Sequence, residues 1–310
     1  MKKKNCLVLL MLLAFIPLLS VAQSKQPVYF KKLKVDGLDI FYREAGNPSH
    51  PTILLLHGFP SSSHMYRDLI DDLSHAYHLI APDYPGFGES SHPSPSTYQY
   101  TFDQLSKTIE HFIDQLQIKK LTLYMQDYGG PVGFRIASRR PELIQALIVQ
   151  NANAYREGLG DVHMLFDYME NPNPETEKVA RQLLTIEATK WQYMNGAKDT
   201  SRISPDSYNL DQYYLNRPGN DAIQLALFRD YGSNLRLYDS WHVYFRKYQP
   251  PTLVIAGKHD KIFIAAGAEA FKKDNPNAQI SLLDGGHFVL EEKHQEAAAL
   301  IHRFLSQHIK

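Results

Sequence analysis

Asp127 closes the apolar run Leu121-Thr122-Leu123-Tyr124-Met125-Gln126 and is followed by Tyr128-Gly129-Gly130-Pro131-Val132-Gly133. The run reads as a buried strand, the glycine pair permits a backbone turn that side chains would block, and the residues from Pro131 onward read as a helix. A strand-turn-helix of this kind lifts one side chain out over a sheet edge. A serine in that position would point to ester hydrolysis. A carboxylate points instead to attack on a saturated carbon and a covalent alkyl ester.

Two further groups complete a catalytic set. Asp260 lies in Gly257-Lys258-His259-Asp260, directly after an apolar run over residues 251–257, and His287 lies in Asp284-Gly285-Gly286-His287-Phe288, after the strand-like Gln279–Leu283. Taken singly, Asp260 reads as a turn or helix cap, and most of the 14 histidines belong at the surface. Their joint order, nucleophile then acid then histidine, puts all three on loops after strands, where open parallel sheets bind ligands. His57-Gly58-Phe59-Pro60 also follows an apolar run. Its turn offers the backbone N–H of Phe59, which with that of Tyr128 would make a two-donor hole for an oxyanion.

The elements that must position these residues follow from hydrophobic periodicity. Val28–Val35 and Leu38–Ala45 alternate around Asp36-Gly37 as a hairpin does. Thr52–Leu56, residues 77–81, Leu121–Gln126 and residues 146–150 are apolar strand-like runs. Polar stretches of helical spacing separate them, the clearest over 102–116 with Phe102, Leu105, Ile109, Phe112, Ile113 and Leu116. Such alternation predicts an α/β fold, a mostly parallel sheet flanked by helices and joined by right-handed crossovers. Between 153 and 248 no buried-strand run occurs. That segment is rich in Tyr, Asn and Pro, with helical stretches near 179–184 and 222–231. It reads as a helical cap inserted between a first core part, 26–152, and a second, 249–310, which holds a helix over 264–271 and a closing helix over 295–305.

Composition narrows the function. Lys2-Lys3-Lys4, an apolar stretch over 7–19 and Ser20-Val21-Ala22 have the three-part layout of a secretory signal cut after Ala22. The expectation is a protein exported to the periplasm or beyond the cell and free of the membrane after cleavage. The single cysteine, Cys6, precedes the apolar stretch and would leave with the signal, which excludes disulfides, thiol nucleophiles and thiolate metal sites from the mature chain. Lys plus Arg equal Asp plus Glu at 33 each, so no strong field gathers nucleic acid or an anionic membrane. Neither a phosphate-cradling glycine loop nor a spaced set of metal ligands is present. The expected partners are a small-molecule substrate and water, with no cofactor and no metal.

With these residues in place, the chain resembles the α/β-hydrolases of the haloalkane dehalogenase and epoxide hydrolase group. The resemblance rests on His57-Gly58-Phe59-Pro60, Gly86-Phe87-Gly88-Glu89-Ser90, Gln126-Asp127-Tyr128-Gly129-Gly130, Asp260 and Gly286-His287-Phe288. It departs from the group at Met125, where many relatives carry Gly or Val, and at Tyr128, where Trp is usual. The resemblance implies that Asp127 displaces a leaving group at carbon, and that His287, oriented by Asp260, then activates water against the ester.

The leaving group stays open between two chemistries. An epoxide opens to a strongly basic alkoxide and needs an acid, for which relatives use tyrosines of the cap. Ten tyrosines fall between Tyr155 and Tyr248, and Tyr155, Tyr193 and Tyr231 are the candidates. A halide needs only directed N–H donors in an apolar pocket. Trp191 could supply one, and the Gln126-Asp127 pair resembles the dehalogenase elbow. Phe59 and Tyr128 stand where dehalogenases carry Asn and Trp. On that donor chemistry epoxide hydrolysis comes first and dehalogenation is the alternative; a non-catalytic binder of the same fold is the weaker third reading.

Overall fold

In the computed structural model, residues 26–309 other than 161 are described. The expected export signal over 1–22 lies outside them. Eight strands form one sheet: β1 (Val28–Val35), β2 (Leu38–Ala45), β3 (Thr52–Leu56), β4 (His78–Pro82), β5 (Leu121–Gln126), β6 (Ile144–Gln150), β7 (Thr252–Gly257) and β8 (Gln279–Leu283), in the spatial order β1-β2-β4-β3-β5-β6-β7-β8. β1 and β2 run antiparallel around Asp36 and Gly37, both at positive φ, as a two-residue hairpin turn requires. β2 also meets β4 antiparallel, and every pairing from β4 across to β8 is parallel.

The central strands are apolar at successive positions because both faces of the sheet are covered. Leu54, Leu56, Leu123, Met125, Leu147 and Val149 belong to one buried cluster, while the alternating Ile53, Leu55, Tyr124, Ala146 and Ile148 belong to the other. The first cluster is roofed by α2 (Phe102–Gln115), α3 (Gly129–Arg139) and α9 (Ala265–Asp274), and the second by α1 (Arg67–Leu73) and α10 (Leu290–His308). Among the described residues, five α-helices and no strand come between β6 and β7: α4 (His163–Glu170), α5 (Pro174–Ala180), α6 (Ile186–Met194), α7 (Pro205–Leu215) and α8 (Asn220–Tyr248).

Two helical readings need adjustment. The stretch near 179–184 is the end of α5 followed by a 3-10 turn, Arg181–Leu184. The stretch at 222–231 is only the first part of the 29-residue α8, whose Phe228, Tyr231, Tyr238, Trp241 and Phe245 form a buried stripe at three- and four-residue spacing. This helix is tied to the core by buried contacts. Arg135 of α3 donates to Asn234 Oδ1 at 2.7 Å and Ser233 Oγ at 2.9 Å, and Asp230 Oδ2 accepts the Phe102 N–H at 2.8 Å.

The turn between β5 and α3 is packed with no room to spare. A Cβ on Gly129 would lie 2.0 Å from the Leu56 carbonyl oxygen, so α3 can start against β3 only if residue 129 has no side chain. Gly129→Ala is therefore expected to destabilise the fold by about 2–4 kcal/mol, since strand and helix must separate and the core cannot absorb the shift. Urea unfolding followed by circular dichroism checks this.

Candidate active site

Asp127 sits in the turn that leaves β5, at a φ of 48°, in the left-handed region that side chains disfavour. Such strain survives only where the surroundings fix it. Here the Asp127 N–H donates to the Asn151 carbonyl at 3.1 Å and the Asp127 carbonyl accepts from Gly130 N–H at 2.9 Å. The conformation aims the carboxylate away from the sheet. Its Oδ1 accepts the Phe59 N–H at 2.7 Å, and the Tyr128 N–H also bonds the carboxylate. The two donors expected to serve an oxyanion thus already face an oxygen of Asp127. The loop carrying Phe59 can come this close because residue 58 is Gly: a Cβ there would lie 2.2 Å from that of Asp127.

His287 lies on the other side of the carboxylate, with Nε2 3.9 Å from Asp127 Oδ2. Its Nδ1 donates to Asp260 Oδ2 at 2.8 Å. Asp260 in turn accepts the N–H groups of Ile262 (2.7 Å) and Phe263 (3.2 Å) on Oδ1, and the Asn151 side-chain amide (2.7 Å) on Oδ2. Four donors on one carboxylate fix its orientation and thereby that of the imidazole. The structure brings Asp127, Asp260 and His287 into one chain of contacts with Nε2 as the ring nitrogen nearer Asp127. This geometry can present a carboxylate nucleophile and a neutral base side by side.

Electrostatics press against that layout at both groups. Burial pushes the Asp127 carboxyl up to about 6, against the pull of His287 and of the Phe59 and Tyr128 N–H groups. Burial alone would lower the His287 pKa, but the charge and hydrogen bond of Asp260, with a contribution from Asp127, outweigh it and hold the imidazole above its ordinary value. His57 is buried beside Tyr84, and burial pushes its pKa down to about 3. It stays neutral and accepts the Tyr84 N–H at 3.2 Å.

A cavity of about 520 Å³ opens over Asp127, with walls that are mainly aliphatic and aromatic. Of the residues singled out in the sequence, Phe59, Tyr128, Tyr231 and Trp191 line it. Tyr155 and Tyr193 do not, and their assignment to substrate binding is corrected. Tyr155 stacks on His242, with ring centroids 4.3 Å apart, and meets Phe271 edge-on, which places it in the packing between α8 and α9. Tyr193 stacks on Phe288 at 3.9 Å and donates its hydroxyl to Asp211, whose carboxyl burial pushes up to about 7. Trp241, the second tryptophan, is buried against Phe134 and Tyr238.

Three contributors escaped the sequence reading. Asn151 supports Asp260; the only hint was a polar residue at the end of β6, on the same sheet edge. Phe228 and Phe263 line the cavity, and nothing in their local sequence separates them from core aromatics.

A model of the alpha/beta hydrolase fold matches residues 51–294. The chain belongs to the α/β-hydrolase family. It is similar to an uncharacterized hydrolase of Saccharomyces cerevisiae, 42% identical over 268 residues that make up 84% of this chain and 92% of that protein. It is also similar to a haloalkane dehalogenase of Psychrobacter cryohalolentis, 26% identical over 86% of this chain and 88% of the relative. Epoxide hydrolase 3 of Xenopus tropicalis is 24% identical over 89% of this chain and 77% of the relative. The protein is a hydrolase, with both dehalogenases and epoxide hydrolases among its homologues.

The raised pKa of Asp127 has a consequence for stability. A carboxyl that ionises less readily folded than unfolded loses stability as pH rises from its unfolded value of 3.8 through its folded value of about 6. At neutral pH that cost is present in full. Asp127→Asn removes it, so the variant is expected to be more stable than the parent by about 1–3 kcal/mol at pH 8, with the gain disappearing near pH 4. Thermal melts across that range measure it.

Proposed function

We propose that the protein is a hydrolase whose nucleophile is Asp127, acting through a covalent alkyl ester, and that its substrates are epoxides. The observation that carries the covalent step is the division of labour between the carboxylate oxygens. Oδ1 is pinned at 2.7 Å by the Phe59 N–H, whereas Oδ2 is the oxygen that lies 3.9 Å from His287 Nε2. Oδ2 attacks the epoxide carbon, the ring C–O bond breaks, and the ring oxygen leaves as an alkoxide that takes a proton. In the ester that results, Oδ1 is the carbonyl oxygen. His287 Nε2 then takes a proton from water as that water attacks the ester carbon. The negative charge develops on Oδ1, to which the Phe59 N–H already donates. Collapse releases a diol as the imidazolium gives its proton to the departing alkoxide, and Asp127, now carrying one oxygen from water, sheds the remaining proton of that water, which replaces the one taken up by the ring oxygen.

Forming the ester also prepares the base. The charge on Asp127 helps to hold the His287 pKa up, and alkylation removes that charge. The imidazole is then more readily neutral at the step that needs it neutral.

Tyr231 supports the choice of epoxides. It lines the same cavity as Asp127, and its ring lies 6.3 Å from that of Tyr128, whose hydroxyl is buried with no partner among the described residues. Burial pushes the Tyr231 hydroxyl well above its ordinary pKa, so it stays protonated and yields its proton only to a strong base such as the opening alkoxide. A second reading, hydrolytic dehalogenation, is favoured by Trp191, whose indole stands in the cavity wall and carries an N–H suited to a halide.

Two experiments test these readings. In His287→Ala, incubated with a panel of epoxides and haloalkanes, an adduct is expected to accumulate on Asp127, and intact mass with peptide mapping reads it. An epoxide adds its whole mass and a haloalkane adds its alkyl group alone; an adduct at any other residue overturns the nucleophile assignment. Tyr231→Phe is expected to lower kcat/KM for epoxides by about a hundredfold, the usual size of a general-acid contribution, while leaving any alkyl-halide turnover nearly unchanged. Halide release by the parent enzyme without epoxide turnover overturns the epoxide assignment.

A further inference from the structure

Gln126, the last residue of β5, is fully buried beside the nucleophile. Its side-chain nitrogen lies 3.2 Å from His287 Nε2, the ring nitrogen that would take the proton from water. Its Oε1 is buried against Gly58, where an added Cβ would come within 2.5 Å, and has no hydrogen-bond partner among the described residues. A buried amide with one unsatisfied end is costly, and the single hydrogen bond that this one makes is to the imidazole.

The direction of that bond follows from the rest of the ring. Nδ1 donates to Asp260, so in the neutral imidazole Nε2 bears no hydrogen and can only accept. The Gln126 amide donates to it. A protonated Nε2 would face an N–H donor, so this contact favours the neutral ring. The charged groups facing His287 are Asp260 from the loop after β7 and Asp127 from the turn after β5; Phe263 and Phe288 add apolar flanks. Both carboxylates draw the ring toward its cation, and Gln126 opposes them.

We propose that Gln126 is a positioning residue that keeps His287 neutral and holds Nε2 off Asp127, preventing the imidazole and the nucleophile from collapsing into an ion pair. Two functions are protected. Asp127 Oδ2 stays free to attack, and His287 stays able to accept a proton from water. The catalytic significance rests on the covalent mechanism above, whereas the effect on the imidazole does not.

Nitrogen-15 NMR of the histidine rings tests the effect without any substrate, with the His287 signal identified by its loss in His287→Gln. In the unmodified protein above the titration, the proton is expected on Nδ1, with Nε2 an accepting nitrogen. Gln126→Met, close in shape but with no donor, is expected to raise the His287 titration by about half to one pH unit, the shift one lost hydrogen bond to the neutral form produces. Gln126→Glu is expected to raise it further by adding a third carboxylate. With a trapped substrate, the acid limb of ester hydrolysis should move upward in step. An unchanged or lowered titration in Gln126→Met overturns the proposal, as does a proton on Nε2 in the unmodified protein, a result that does not depend on either variant folding. A shifted titration with no adduct on Asp127 would leave the imidazole role standing and overturn the covalent mechanism instead.

Discussion

An ionisable carboxylate held in an apolar pocket is the constraint around which this molecule is arranged. Burial raises the pKa of Asp127 to about 6, and a carboxylate left bare in such surroundings would simply take up a proton. The Phe59 and Tyr128 N–H groups and the nearby imidazole limit that penalty. Several otherwise unrelated features serve this compromise. The positive φ of Asp127 aims the side chain, Gly58 lets the Phe59 loop approach, and Gly129 lets α3 begin directly beneath the turn. The acid and the histidine follow neighbouring strands, β7 and β8, so their separation is set by the spacing of the sheet.

The helices between β6 and β7 supply apolar walls and the Tyr231 hydroxyl, whereas Asp127, Asp260 and His287 come from the loops of the sheet. α8 brings Phe228 and Tyr231 over the site and is clamped to α2 and α3 through Asp230 and Arg135. On the opposite side, Glu292 of α10 accepts the N–H groups of Lys198 and Asp199, which follow α6, at 3.1 and 2.8 Å. Tyr193 of α6 stacks on Phe288, the residue after His287. The cap therefore bears on the histidine loop as well as on the cavity, and a side chain of the cap can matter to the imidazole without meeting a ligand.

The central strands were legible in the sequence because the buried sheet demands apolar residues on both faces, and β2 and β8 showed as short apolar-rich runs bounded by turn residues. Leu38–Ala45, Thr52–Leu56, Leu121–Gln126 and Gln279–Leu283 coincide with the runs read from periodicity. The juxtaposition of Asp127, Asp260 and His287 was legible for a related reason, since a parallel sheet puts every loop that follows a strand at one edge. The cap was less readable. α8 carries Gly232 and Ser233 near its middle and mixes Tyr, Asn and Gln among its buried residues, so only its first ten or so residues looked helical. The tyrosines show the limit most clearly. Tyr155, Tyr193 and Tyr231 are all buried, and only the packing of the helices decides which faces the cavity. Asn151 and Gln126 were missed as supports because their partners are 109 and 161 residues away, and no local pattern encodes such a pairing.

The path of the chain around the cap has a broader consequence. It leaves the sheet from β6 and returns into β7, which lie side by side, so the excursion begins and ends at adjacent points of the platform. Segments of different length or shape can be accommodated there without disturbing strand order or the loops that bear the reactive groups. Much of the cavity wall and the loops of Asp127, Asp260 and His287 are thereby written on separable stretches of one polypeptide.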